Sequence, residues 1–395
     1  MSRYHAYLNT ASSFLGQYRA TEPFASFLKK RWAEHKKAGS RDRKQIAGLC
    51  YAAFRLGGAG ALLPVEERIC RGVFLCTSHP DPFLEALRPA WHPYSTATLE
   101  QKLVICEASL SPADIFPWTH LLSDHIGAAS FAYSHLQQPA LFIRSRPGQA
   151  GAVQDRLEQA GIPYQQQGPG TFSLPSGTQL ENILELNRQA VVQDASSQAL
   201  GELMERMRQE SASWPANAHV WDCCAASGGK SILAYDCLPG VVLTVSDVRS
   251  SILHNLRQRF REAGIQAGAV LETDLSRPVT HPQLQGRLFD AILADVPCTG
   301  SGTWGRTPEQ LCFFEETAIP RYVHLQRQIL THVLPFLRPG GFLLYSTCSV
   351  FRNENEAQVA WLQEACRLRV VQQGVIEGYR SGSDTMYGAL LQREG

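Results

Sequence analysis

The chain has 395 residues, 44% of them hydrophobic and 18% charged, with a formal net charge of +1. That length supports two or three domains, each with its own core, and the balance excludes a disordered or fibrous chain. No apolar run reaches the roughly 20 residues that span a bilayer, and the first residues lack the apolar core of a secretory signal, so the expectation is a cytoplasmic chain with no membrane partner.

The 11 cysteines are odd in number and contain no C-x-x-C pair, which points to a reducing compartment and no metal site. Charge is unevenly placed: residues 1–55 carry 11 Lys/Arg against 3 Asp/Glu. Such an end is either a solvated helix face or the footprint of a polyanion.

In chain order, residues 1–130 read as a helical domain. "PFASFLKKRWAEHKKAG" has helical spacing and stops at Gly39. "SRDRKQIAGLCYAAFRLGG" opens on Ser40 as a cap candidate and places Ile46, Cys50, Ala53 and Phe54 on one face. "VEERICRGVFLC" and "LEQKLVICEASL" continue the pattern. Residues 131–190 change texture: "PALFIRSRPG" is a strand, "QAGAVQDRLEQAGI" a helix and "TFSLPSG" a strand, a small α+β subdomain. From 191 to 395 strands and helices alternate. "AHVWDCC", "VVLTVSD", "AVLETD", "LFDAILAD" and "GFLLYST" are the strands, which predicts an α/β, Rossmann-like domain with a parallel sheet covered on both faces. A ligand then lies beyond the carboxyl ends of those strands.

"DCCAASGGKS" stands at one such end. It finishes like a triphosphate-binding loop, but Cys224 occupies the position where that loop needs its first glycine. The small residues and two glycines instead let the backbone approach a flat ligand. Asp247, ending the next strand, is placed for a ribose diol, and Asp274, ending the strand after that, for an exocyclic amine. Either acid could also merely cap the helix that follows. Ribose hydroxyls without a phosphate describe S-adenosylmethionine.

"DVPCTGSGTW" and "YSTCS" each put a thiol just past a strand, at Cys298 and Cys348. An isolated cysteine there is most simply a buried apolar group. Two at neighbouring strand ends suit nucleophilic catalysis: a thiolate adding to C6 of cytosine makes C5 nucleophilic, and a second acid/base group helps expel it. Residues alone leave open which thiol attacks.

"CAASGGK", "DVPCTGSGTWGRTPE", "YSTCSVFRNENEAQV" and "VVQDASSQ" resemble the motifs of the Sun/Nop/RsmB-type RNA cytosine-5 methyltransferases. The resemblance implies a class I S-adenosylmethionine-dependent methyltransferase domain with Cys348 as nucleophile and Cys298 in product release. It also implies a cofactor loop of Cys224, Ala225, Ala226, Ser227, Gly228, Gly229 and Lys230. Asp247 matches the ribose acid, Asp274 the adenine-side acid and Asp295 the acid between cofactor and target base, with Lys230 and Asp295 on the base's polar edge. Two positions depart. Ser227 replaces the usual proline, which puts loop rigidity in question, and Ile252 replaces a common arginine.

The helical region around "GSRDRKQIAGLCYAAFRL" resembles the NusB-like RNA-binding domain of some members, and Arg144 and Arg146 of the small subdomain are expected to contact phosphates. The expected partner is RNA, ribosomal RNA first, bound by a monomer with the target cytosine out of any stack. Transfer RNA or uracil as target, and a non-catalytic assembly factor on the same scaffold, are the rival readings.

Overall fold

The computed structural model describes residues 2–34, 38–211 and 214–394. The chain forms two compact units: one comprises 1–120, 127–138 and 303–316, the other 121–126, 139–302 and 317–395.

The first unit is helical, as its apolar spacing requires. Helices Arg3–Gln17, Phe24–Glu34, Ser40–Arg55 and Val65–Cys76 bury Phe14, Phe24, Cys50, Ala53, Cys70 and Phe74. The extension of the second helix through 35–37 lies outside the described residues. Ser40 is not the cap of the third helix: Gly39 occupies that position in an extended conformation and donates its N–H to the Asp42 carboxylate at 3.2 Å. The acid at the third helical position thus accepts from the cap residue's own N–H, the reciprocal half of a capping box, and no side chain caps the first turn's N–H groups.

Segment 303–316 contributes Trp304, 1% exposed, to an aromatic cluster with Phe116, Trp118 and Phe314. Arg55 is buried here and donates to the carbonyls of His135, Gln137 and Gly305. The adjacent His135 is fully enclosed, and burial pushes its pKa down to about 4.

The second unit holds two sheets. A four-stranded antiparallel sheet is built from β1 (Leu141–Ser145), β2 (Gln165–Gly168), β3 (Thr171–Leu174) and β4 (Ala190–Val192), in the order β2-β3-β1-β4. Helix Ala150–Gln159 buries Val153 and Leu157 against it.

The larger sheet has seven strands: β5 (His219–Asp222), β6 (Val242–Asp247), β7 (Ala269–Glu272), β8 (Phe289–Asp295), β9 (Leu337–Thr347), β10 (Leu368–Ile376) and β11 (Met386–Arg393). Their order is β10-β11-β9-β8-β5-β6-β7, with β5 to β9 mutually parallel and β11 antiparallel to both of its neighbours. The expectation of a wholly parallel sheet is therefore corrected at one edge. β10, which pattern reading did not find, is a half-exposed edge strand rich in glutamine, and it pairs with β11 as an antiparallel ribbon rather than by a covered crossover.

Alternate residues of the central strands serve two cores. Val220, Leu243, Ala291, Leu293, Phe342 and Leu344 face helices Ala195–Glu210, Gly229–Cys237 and Ser250–Ala263. Trp221, Ile292, Ala294, Leu343 and Tyr345 face Ile319–Val333 and Glu356–Cys366. Each fully buried side chain of this size contributes about 1.5–3 kcal/mol, which secures the strand register and with it the loops at the strand ends. The strand order reverses between β5 and β8, and the crevice beyond their carboxyl ends is where the candidate site lies.

Candidate active site

β5 ends at Asp222 and the chain turns through Cys223–Gly228 into helix Gly229–Cys237. Gly228 has φ +85°, and a Cβ there would stand 3.0 Å from Phe260 and 3.1 Å from Leu256. This turn needs glycine on both counts. Ala226 also adopts a left-handed conformation, with φ 46°, which aims its N–H at Asp247 Oδ2, 3.1 Å away. Ala225 N–H donates to Ser246 O, so the loop is fastened to the end of β6.

The departure at Ser227 has a local answer. Arg259, on the helix after β6, donates from Nη1 to Ser227 O (3.1 Å) and Oγ (3.0 Å), and its Nε donates to Asn187 Oδ1 (2.9 Å). A guanidinium bridge thus restrains the backbone that proline would stiffen covalently.

A crevice of about 230 Å³ opens over this loop, lined by Cys224, Ala225, Ala226, Ser227, Gly229 and Lys230 together with Asp295 and with Val192–Asp194 of "VVQDASSQ". Small side chains leave room for a flat group; Asp247 is not among the lining residues but is tied to one of them through Ala226 N–H. Burial by itself would raise the Asp247 carboxyl, but hydrogen bonds from Arg249 and Ala226 outweigh burial and hold it below the usual range. Asp274 does not line this crevice: its Oδ1 accepts from Ser276 N–H and Oγ–H in a turn that opens no helix, and its side chain is 44% exposed.

Lys230 separates this loop from a triphosphate cradle. Its Nζ is 2.7 Å from Asp295 Oδ2 at the end of β8, while Asp295 Oδ1 accepts from Ser346 Oγ at 2.9 Å. Burial opposes the ammonium charge, but Asp295 and then Cys348 outweigh it, and Lys230 is held above its ordinary range.

β8 and β9 are parallel neighbours with Asp295 opposite Ser346, so the loops carrying Cys298 and Cys348 leave the sheet side by side. The two thiols are within hydrogen-bonding reach, and both are partly accessible. The bond to Cys348, followed by burial, pushes the Cys298 thiol well above its usual range. Gly302 N–H donates to Cys348 O at 2.8 Å, and Thr385 N–H to Gly302 O at 2.9 Å. A Cβ on Gly302 would fall 1.9 Å from Thr385 O, so only glycine lets these loops meet.

One expectation is overturned. Arg144 and Arg146 do not present themselves to phosphates: Arg144 Nη1 (2.7 Å) and Arg146 Nε (2.8 Å) both bind Asp236, with side chains only 11% and 10% exposed. Arg146 also donates to Asn187 O and Ala263 O. A buried carboxylate on a distant helix outcompetes water for them, which adjacency in "FIRSRPG" could not reveal.

Four residues with work at this site escaped pattern reading: Asp222, Arg259, Gln326 and Glu354. Asp222 opens the quoted loop and Glu354 lies within "FRNENEAQV", so the motifs themselves held the signal for two of them. Arg259 and Gln326 sit in ordinary helical sequence and carry none.

A seven-stranded sheet in this order, with a small-residue loop after its first strand and an acid ending its second, defines the fold of the class I S-adenosylmethionine-dependent methyltransferases. Over its full length the chain is similar to the solved structure of PH0851 (TM-score 0.68, 20% identity, 100% of this chain and 99% of that one). It is also similar to NSun6 from Pyrococcus horikoshii (TM-score 0.57, 14% identity, 72% of this chain and 97% of that one).

Residues 214–389 match the family model described as 16S rRNA methyltransferase RsmB/F. Among curated relatives, the chain is 33% identical over 177 residues to ribosomal RNA small subunit methyltransferase B of Shewanella oneidensis, covering 45% of this chain and 39% of that protein. To the protein of the same name from Xanthomonas campestris pv. campestris it is 34% identical over 197 residues, 49% and 42% of the two lengths. The chain thus spans less than half the length of these relatives in the matched region.

Proposed function

We propose that this protein is an S-adenosylmethionine-dependent RNA cytosine-5 methyltransferase acting on ribosomal RNA through a covalent bond between Cys348 and C6 of the target base. The observation that carries the reading is that the loops of Cys298 and Cys348 leave neighbouring parallel strands side by side, next to the Lys230–Asp295 ion pair and the small-residue loop after β5. The names of the relatives support ribosomal RNA as the substrate class.

The residues present fit the cofactor. Ala225, Ala226 and Gly229 leave space for its flat part, and Asp247, fastened to Ala226 N–H of the loop, is assigned to the ribose hydroxyls; Asp274, turned to Ser276 outside the crevice, is not assigned to the cofactor. When bound, the cofactor supplies an electrophilic methyl group. The chain's own part begins with the Cys348 sulfur adding to C6, which shifts the ring electrons to C5 and leaves negative charge on the base. Lys230, and Asp295 held between Lys230 and Ser346, stand where that polar edge is bound. Resolution passes the C5 proton to water, the C5–H electron pair restores the C5–C6 double bond, and the C6–S bond breaks with its pair returning to Cys348. Cys298, a neighbouring thiol held above its usual range, assists that departure.

The basic helical unit is assigned to RNA, with Arg3, Lys29, Lys30, Arg41 and Lys44 exposed for phosphate contact. Among the described residues no helix is long and apolar enough to cross a membrane.

Bisulfite sequencing of ribosomal and transfer RNA, with and without the gene, identifies the target. Cys348→Ala abolishes turnover, and Cys298→Ala accumulates a protein–RNA adduct that survives denaturing electrophoresis. Undiminished methylation by Cys348→Ala would overturn the assignment.

A further inference from the structure

Glu354 lies behind the two thiols at 0% exposure, and four donors converge on its carboxylate. Oε1 accepts from Thr299 N–H at 3.0 Å and from Gln326 Nε2 at 3.0 Å; Oε2 accepts from Thr299 Oγ1 at 2.6 Å and from Ser349 Oγ at 2.5 Å. Thr299 follows Cys298 and Ser349 follows Cys348, so one buried side chain grips the residue after each thiol. Gln326 extends the grip to the other side of Cys298, since its Nε2 also donates to Pro297 O at 3.0 Å. Asn355 does the same around Cys348: its Oδ1 accepts from Thr347 Oγ1 at 2.6 Å and its Nδ2 donates to Ser349 O at 2.9 Å.

Such an arrangement exceeds what holding two loops together requires, because backbone contacts such as Gly302 to Cys348 already do that. A charged, acceptor-only group in a dry site is costly unless every lone pair is used. Here each oxygen receives two donors, and all but Gln326 come from residues flanking the thiols.

We propose that Glu354 is a positioning residue that sets the geometry between the Cys298 and Cys348 thiols, and so controls how fast the covalent adduct resolves. This rests on the cytosine-5 reading above. Burial raises the Glu354 carboxyl by more than its four donors lower it, and its charge adds to what raises the Cys298 thiol. An amide –NH2 in place of Oε2 can donate to the Thr299 and Ser349 hydroxyls, which reorient to accept, but it exchanges charge-assisted bonds to a carboxylate for weaker neutral ones, so the clamp loosens and Cys298 moves relative to the sulfur it assists.

The test uses the full-length enzyme, S-adenosylmethionine and an unmodified small-subunit ribosomal RNA transcript. Glu354→Gln is expected to slow adduct resolution about tenfold to a hundredfold and to accumulate adduct on denaturing gels, with cofactor affinity unchanged. Glu354→Gln combined with Cys298→Ala should resolve no more slowly than Cys298→Ala alone, since the two act through one step. Thr299→Val, which removes a single hydroxyl from the clamp, shows the same effect more weakly and covers the case in which Glu354→Gln does not fold.

Normal resolution in both Glu354→Gln and Thr299→Val, or additive slowing in the double variant, would overturn the inference. If Cys298→Ala itself yields no adduct, the cytosine-5 reading fails instead.

Discussion

Lys230 Nζ and Asp295 Oδ2 stand 2.7 Å apart, the first at the start of the helix after β5 and the second at the end of β8. The pair joins the loop after β5 to the loop of Cys298 across the point where strand order reverses. Lys230→Met keeps the aliphatic stem and removes the charge. We expect kcat to fall about a hundredfold while cofactor affinity stays within a few fold, because the lost interaction stabilises charge that develops only during reaction. Steady-state kinetics with isothermal titration separates the two effects, and a loss confined to cofactor affinity would place Lys230 with the cofactor alone.

Asp236 carries the guanidinium groups of both Arg144 and Arg146 at 5% side-chain exposure. Removing it leaves two buried cations with no carboxylate. Asp236→Ala is expected to lower stability by about 3–5 kcal/mol, read as a drop in the denaturant midpoint without a change in slope. A loss below about 1 kcal/mol would mean that water reaches these arginines and restores them as candidates for phosphate contact.

Asp222 is buried beneath the cofactor loop, with Oδ2 accepting from Ser231 Oγ at 2.6 Å. Burial first, then the Asp295 charge, pushes its pKa up to about 7. In the unfolded chain an aspartate titrates near 3.9, so across roughly pH 4–7 the folded protein holds a proton that the unfolded chain has released. Stability from this group is therefore present at low pH and lost as pH rises through 7. Asp222→Asn has no such proton and keeps an acceptor for Ser231. Its melting temperature should gain on the wild type between pH 5 and pH 8. Parallel pH profiles would show that Asp222 is ionised throughout.

Much of this protein was legible in its sequence because the relevant signals are local. Alternation of strands and helices over 191–395 reflects a sheet buried on both faces, and five strands of that sheet lie where the apolar runs are. The loops ending in Gly228, Asp247, Cys298 and Cys348 fall at the carboxyl ends of their strands because a strand stops where small, polar and left-handed residues begin. β10 was illegible for the converse reason: "LRVVQQGVI" is half-exposed, its glutamines break the apolar pattern, and its strand character comes from pairing with β11.

Fold class and the strand ends that carry Asp247, Cys298 and Cys348 follow from local pattern, since each depends on neighbours within a few positions. Which partner each polar side chain takes follows instead from packing across the fold. Arg144 and Arg146 turned to Asp236, Arg259 to Ser227, and Glu354 to the residues beside both cysteines, across separations from 5 to 92 positions. A buried charge must find whichever opposite charge or donor set the packed core brings within reach, and that choice is written in three dimensions rather than along the chain.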